Sequence, residues 1–291
     1  MSRQARTTPD LEALVHSKER TYQSGVLVIS ALIYGIVGLA LVMAVAQVPG
    51  VLGVLFTYVL LGLFIYAMTR GLLLGRVLGS AVRVSEQQLP QLFDRARDVA
   101  GRLGMEKLPD LYLVQSGGVV NAFATRFFGR QFVVLFSEVM DIAGEHGDDA
   151  VGFVLAHELA HHKRGHLQKH LLFLPGRMIP FLGQAYSRGC ELTCDRYGAA
   201  CYPKGAVTGL LALAAGTRVH QRVNPTLFAQ QVTTEAGFWR SFAEVLSLHP
   251  ILPRRVSELS VSGLIDREEL GLAIHTPISV RAVQPNVAAD R

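Results

Sequence analysis

The chain has 291 residues, half of them hydrophobic, with a net charge of +5 and a pI near 9.3. A mean hydropathy of +0.31 is high for a soluble protein, and three cysteines, an odd number, argue against a disulfide framework. No nucleic-acid motif accounts for the basic excess, so nucleic acid is not an expected partner.

The hydropathy has a local source. Residues 1–24 read as a short basic arm with Arg3, Arg6, Lys18 and Arg20, and then no Asp, Glu, Lys or Arg occurs from Thr21 to Thr69. Gly25 to Ala46 is long enough to cross a bilayer as a helix, Gln47-Val48-Pro49-Gly50 reads as a turn, and Val51 to Met68 gives a second crossing near the short limit. Residues 25–74 are therefore predicted to form a two-helix transmembrane hairpin. The first stretch is longer than the apolar part of a signal peptide and lacks a clear small-residue cleavage site. Basic residues flank both outer ends of the hairpin, with Arg70, Arg76 and Arg83 after it, and the turn is uncharged. By the positive-inside rule, both termini and the domain after the hairpin face the cytoplasm, and the basic excess faces anionic lipid.

Residues 75–265 are predicted to be one domain, mainly α with a small antiparallel β-sheet. Gln87 to Leu103 has the pattern of an amphipathic helix. Leu111–Gln115, Val119–Phe127 and Gln131–Phe136 are β-rich runs broken by Gly117-Gly118 and Gly129-Arg130. An edge strand of such a sheet can pair with an extended peptide. A further helix starts near Asp148 and Asp149, which suit a positive N-terminus, and carries Val151, Val154, Leu155 and Leu159 at helical spacing. Gly165 suits its stop.

That helix contains His157-Glu158-Leu159-Ala160-His161. Residues four apart share a helix face, so both imidazoles can turn to one metal ion, with Glu158 placed to handle the proton of an activated water. An open zinc site wants a third protein ligand. The pattern H-E-x-x-H-x-x-G-x-x-H, which needs a Gly at position 164 and a third His at 167, fails, because these are Arg164 and Leu167. Glu191 is the candidate, in Cys190-Glu191-Leu192-Thr193-Cys194-Asp195. Asp195, four residues on, can accept the free ring N–H of a ligand histidine.

Leu171 to Tyr186 is apolar but interrupted by Pro175, Gly176, Arg177 and Pro180, and reads as a loop or broken helix over the site that dips to the membrane surface. Cys190, Cys194 and Cys201 read as buried thiols, with a cysteine metal site at 190 and 194 as the alternative. His162, His166 and His170 form another row at four-residue spacing, read as an exposed polar face, with a second metal as the alternative. Gly205 to Val219 and Pro253 to Leu264 read as helices, and Trp239 as a core or interface residue. Residues 266–291 read as a tail.

The run from His157 to His166, followed by Glu191 and Asp195, resembles the M48 metallopeptidases, as do Asn121-Ala122-Phe123-Ala124 and His249-Pro250 with Arg255. The likeness covers about residues 85–260, and HtpX and Ste24 are members of the family. Read alone, Asn121 suits an ordinary strand or turn, and His249 a helix end before Pro250. The resemblance implies a gluzincin-type domain with one Zn2+ held by His157, His161 and Glu191, and Glu158 as base. It further implies that His249 and Arg255 steady the reacting carbonyl and that Asn121, Ala122 and Phe123 face substrate.

Together these readings describe a membrane-anchored zinc endopeptidase acting on polypeptides, multi-pass in a bacterial-type inner (plasma) membrane. A narrow protease of prenylated proteins and a non-catalytic metal-binding membrane scaffold are the alternatives. The interval between the metal motifs is too short for the additional spans that HtpX carries there.

Overall fold

The computed structural model describes residues 10–48, 50–115, 117, 121–142 and 147–265. Arg3 and Arg6 of the basic arm, Pro49 of the turn, Gly118 and residues 119–120 of the second β-rich run, and the tail 266–291 lie outside the described residues.

Two long apolar helices come first, α1 (Ser17–Gln47) and α2 (Val51–Gly79), each long and apolar enough to cross a membrane. At 1.5 Å per residue, 31 residues of α1 extend about 46 Å, more than the ~30 Å hydrocarbon thickness. The first half of α1 packs against the rest of the chain. Glu19, Val26 and Ser30 are buried there, whereas α2 buries no residue.

The remaining elements are β1 (Val82–Arg83), α3 (Pro90–Arg102), β2 (Asp110–Val114), β3 (Ala122–Phe127), β4 (Arg130–Phe136), α4 (Gly147–Lys163), α5 (Leu174–Met178), α6 (Leu182–Cys201), α7 (Pro203–Ala215), α8 (Pro225–Thr234), α9 (Phe238–Leu246) and α10 (Leu252–Ser262). The helices predicted in this part of the chain appear with their ends moved by a few residues, whereas α1 starts well before Gly25 and α2 runs well past Met68. Gly165 (φ +69°) and Gly263 (φ +71°) stand just past α4 and α10 in the left-handed conformation that ends a helix.

The sheet is mixed rather than antiparallel, which corrects the sequence expectation. Its order is β1-β2-β4-β3: β2 runs parallel to β4, and the other two pairs are antiparallel. The cause is burial. Phe132 to Leu135 of β4 are all buried, while β3 is half-buried throughout, so the more apolar strand takes the centre. The tight β3–β4 turn has positive φ at Phe128 (44°) and Gly129 (81°), the geometry that joins adjacent antiparallel strands. β3 is thereby left at the edge.

The core gathers around α4, which is buried on nearly every side. The apolar stripe read from the sequence is widened by Gly152, Phe153, Ala156 and Ala160. Small residues permit this approach. A Cβ on Gly205 of α7 would fall 2.1 Å from the Asp149 carbonyl carbon, and one on Gly198 of α6 would fall 2.8 Å from the Phe153 ring. Packing α6 and α7 this tightly against α4 aligns the histidine pair with Glu191.

Leu171–Tyr186 is a broken helix, as expected. It packs on α1 rather than over the site: Gly176 N–H donates to Ser30 Oγ at 2.9 Å, and Tyr34 Oη donates to the Leu171 carbonyl at 2.6 Å. Leu171, Leu172, Met178 and Phe181 are exposed beside it. Trp239 is 77% exposed on α9, which excludes a place in the core of this chain. All three cysteines are buried free thiols.

Candidate metal centre

His157 and His161 project from successive turns of α4 toward Glu191 on α6. His157 Nε2 lies 3.4 Å from Glu191 Oε2, and His161 Nε2 lies 3.3 Å from Glu191 Oε1. One ligand atom from each of the three residues falls within 4.8 Å of the other two. Each imidazole points its Nε2 at the cluster and its Nδ1 away from it.

The outward nitrogens have partners. His157 Nδ1 donates to Asp195 Oδ1 at 2.9 Å. Arg255 grips the same carboxylate with two nitrogens, Nε to Oδ2 at 2.8 Å and Nη2 to Oδ1 at 2.6 Å. The buried Arg255 therefore meets Asp195 on the far side of His157, and its Nη1 is still 4.0 Å from Glu191. His161 Nδ1 meets His166 Nδ1 at 3.0 Å.

Burial opposes a charge on Glu191, but hydrogen bonds from His157, His161 and His249 outweigh it and hold the carboxyl well below its usual range. Burial also opposes a charge on His157, but Asp195 and Glu191 win and pull its imidazole up to about 10. The larger pull comes from Asp195 at Nδ1, and Glu191 adds to it at Nε2. Two imidazole nitrogens and a carboxylate oxygen that converge in this way are the donors of a three-ligand zinc site. The residues fit such a group.

A cleft of about 230 Å³ opens on this cluster. It brings together Asn121, Ala122, Phe123, His157, Glu158, His161, Glu191, His249 and Arg255, which is every predicted site residue except Asp195. Asp195 is 1% exposed, behind His157. The β3 edge forms one wall, with no strand beside its outer face among the described residues. His249 lies in the turn between α9 and α10 rather than ending a helix. Its Nδ1 is 3.1 Å from Glu191 Oε2, and that hydrogen bond raises its pKa. Arg188 holds this turn by donating to the carbonyls of Glu244, Val245 and Ser247.

The histidine row after the motif is not an exposed face. α4 ends at Lys163, so His162, His166 and His170 do not share a helix side. His162 and His166 are buried and only His170 is exposed. Burial pushes both buried imidazoles down to about 4, and His162 Nε2 donates to the Phe132 carbonyl at 3.0 Å. His166 in turn meets Glu19 of α1. Glu19 escaped notice in the sequence, where it is one acidic residue between Lys18 and Arg20. The available clue was its spacing to Val26 and Ser30, seven and eleven residues on, which puts all three on one helix face.

Residues 86–180 match the model of peptidase family M48. The matched stretch holds the β3 edge and the histidine motif, and supports a metallopeptidase of that family without specifying a subtype. It ends before Glu191, Asp195, His249 and Arg255, whose connection with the motif rests on the geometry above. No curated protein matches the chain.

Proposed function

We propose that this chain is a membrane-anchored zinc endopeptidase of the M48 type, in which His157, His161 and Glu191 hold one Zn2+. The observation that carries the reading is the meeting of these three donors in a cleft walled by a strand edge that pairs with no other strand among the described residues. A zinc ion there would supply Lewis acidity to the scissile carbonyl and to the attacking water. Glu158, beside the first histidine and facing the cleft, takes the proton of that water and passes it to the leaving amine. The β3 edge at Asn121, Ala122 and Phe123 grips the substrate backbone, which favours extended or unfolded polypeptides over one side-chain sequence. Asp195 sets the ring of His157 and is itself fixed by Arg255. His249, on the exposed rim and hydrogen-bonded to Glu191, is the group best placed to reach the carbonyl oxygen as charge builds.

The domain limits follow the same reading: an arm to residue 24, a hairpin over 25–74, the peptidase domain over 75–265 and a tail beyond. Support for the hairpin comes from the apolar side chains that α1 and α2 expose along most of their length, a surface that water disfavours and lipid accepts. The basic flanks support a domain on the cytoplasmic side of a bacterial-type inner membrane, where membrane proteins and unfolded chains would be its substrates. Two spans do not enclose a chamber, so a broad protease is favoured over a narrow one for lipidated tails.

The test is purified full-length protein with casein and a lipidated peptide. Wild type should carry one zinc and cleave casein, and a chelator should stop it. Glu158→Gln should keep the metal and lose about 10²–10⁴-fold in rate. Undiminished cleavage by that variant removes Glu158 from the reaction, and cleavage of the lipidated peptide alone selects the narrow reading.

A further inference from the structure

Glu19 is the third residue of α1, and its side chain has no solvent exposure. A charge so completely removed from water requires compensation. Arg164 supplies it, with Nη2 at 3.1 Å and Nε at 3.4 Å from Glu19 Oε1. The same oxygen is 3.2 Å from His166 Nε2. His166 belongs to the loop after α4, and its other ring nitrogen is the one that meets His161 Nδ1 at 3.0 Å.

Where a metal ion is held at the Nε2 atoms of His157 and His161, one arrangement of protons satisfies this chain of contacts. An ionised carboxylate only accepts, so His166 Nε2 carries a hydrogen and donates. Arg164 already balances Glu19, so His166 need not be cationic, and its Nδ1 keeps a lone pair. That lone pair accepts from His161 Nδ1–H. His161 Nε2 is then left bare, facing Glu191 at 3.3 Å. We propose that Glu19, acting through His166, is a positioning residue that fixes the tautomer and ring orientation of the metal-facing His161, so that the first membrane helix is a working part of the metal centre.

The arrangement parallels the other ligand. Asp195 on α6 serves His157 directly, and Glu19 on α1 serves His161 through one intervening imidazole. Partners of this kind commonly hold metal affinity up by 10–100-fold. The inference rests on the metallopeptidase reading, and it adds that α1 does more than tether: if its first turns undock from α6 and the loop after α4, His161 loses its orientation.

The experiment uses the full-length protein in detergent, with zinc affinity measured by chelator competition. His166→Phe, which offers His161 no acceptor, should weaken zinc binding by roughly 10–100-fold. His166→Asn, whose side-chain carbonyl can still accept from His161 Nδ1–H, should recover most of that loss. Glu19→Gln should weaken binding by about tenfold. Wild-type affinity in both His166→Phe and Glu19→Gln overturns the proposal. If those variants fail to fold, ¹⁵N spectra of histidine-labelled, zinc-loaded wild type decide it. Nε2–H on His166 supports the relay, and Nδ1–H on His166 overturns it. Glu19, His166 and Cys190 also bring ligand atoms within 4.8 Å of one another. A second zinc per chain that disappears in Cys190→Ser would make Glu19 and His166 ligands in their own right and overturn their role as a relay. Wild type without any zinc ends the metallopeptidase reading and this inference with it, whereas zinc-bound wild type with unaffected variants ends this inference alone.

Discussion

α1 and α2 are alike in composition and length but differ in how they meet the rest of the chain. α1 sends Glu19, Val26 and Ser30 into the domain, and its first turn is fastened at several points. His16 N–H donates to Thr193 Oγ1 on α6, and His16 and Lys18 both reach Glu258 on α10. α2 meets the domain near Arg70 and Gly71, where Arg70 lies 3.4 Å from Thr125 and Gly71 approaches the Phe127 ring of β3. Apolarity suits both helices to lipid. A few polar and small residues at particular positions decide which of them is also part of the protein interior.

The largest effect that would break this contrast is a side chain at Gly189 on α6. A Cβ there would lie 2.7 Å from Glu19 N and 2.8 Å from Glu19 Cα, both backbone atoms that cannot step aside. Gly189→Val should cost about 3 kcal/mol in thermal unfolding, the upper end for overpacking, despite the helix propensity of up to ~1 kcal/mol that leaving glycine returns. Gly62→Val on α2, where a Cβ meets nothing within 4 Å, should stay within about 0.5 kcal/mol of wild type. Equal effects at the two sites would erase the distinction.

A smaller effect concerns hydroxyls. Ser30 accepts from the buried Gly176 N–H, so Ser30→Ala leaves that donor unpaired at a cost of roughly 1–3 kcal/mol. Thr57 and Thr69 of α2 donate to carbonyls of their own helix, Gly53 and Ile65, and Thr57→Ala should be nearly neutral. The same unfolding measurement on both variants tests the pair, and a neutral Ser30→Ala would show that α5 is not held to α1 as described.

The smallest is electrostatic. The His16 hydrogen bond and the Lys18 charge outweigh burial and pull the Glu258 carboxyl down from 4.5 to about 2. A lowered carboxyl value means that the stability it lends is complete above the ordinary value near 4.5 and fades as pH falls toward about 2. Lys18 is half-exposed, so Glu258→Gln should cost under about 1 kcal/mol at neutral pH. The gap to wild type should close between pH 4.5 and about 2. A gap that stays constant over that window would mean that Glu258 does not clasp the start of α1.

Much of this molecule could be read along the chain because the signals are local. The uncharged run from Thr21 to Thr69 marks the hairpin, the four-residue spacing of His157 and His161 marks a shared helix face, and Gly165 marks where that helix stops. Glu191 and Asp195 were legible as a pair one turn apart on another helix. The parallel pairing of β2 with β4 was not, because it depends on which strand is buried most once helices cover the sheet. The burial of His162 and His166 was missed for a related reason: the row assumed a helix that ends at Lys163, and the loop that replaces it folds inward onto Glu19.

Sequence alone determined the residue types and their short-range spacing: two imidazoles on one face, a carboxylate beside the first, an apolar hairpin ahead of them. The sequence could offer Glu191, Asp195 and Arg255 as candidates, but only the tertiary structure decided that they and Glu19 meet the histidine cluster, because these groups come from three other helices. The separations between these helices along the chain carry no trace of that meeting. Close helix packing through glycines such as Gly189, Gly198 and Gly205 produces it, and that packing is a property of surfaces that exist only after the chain has folded.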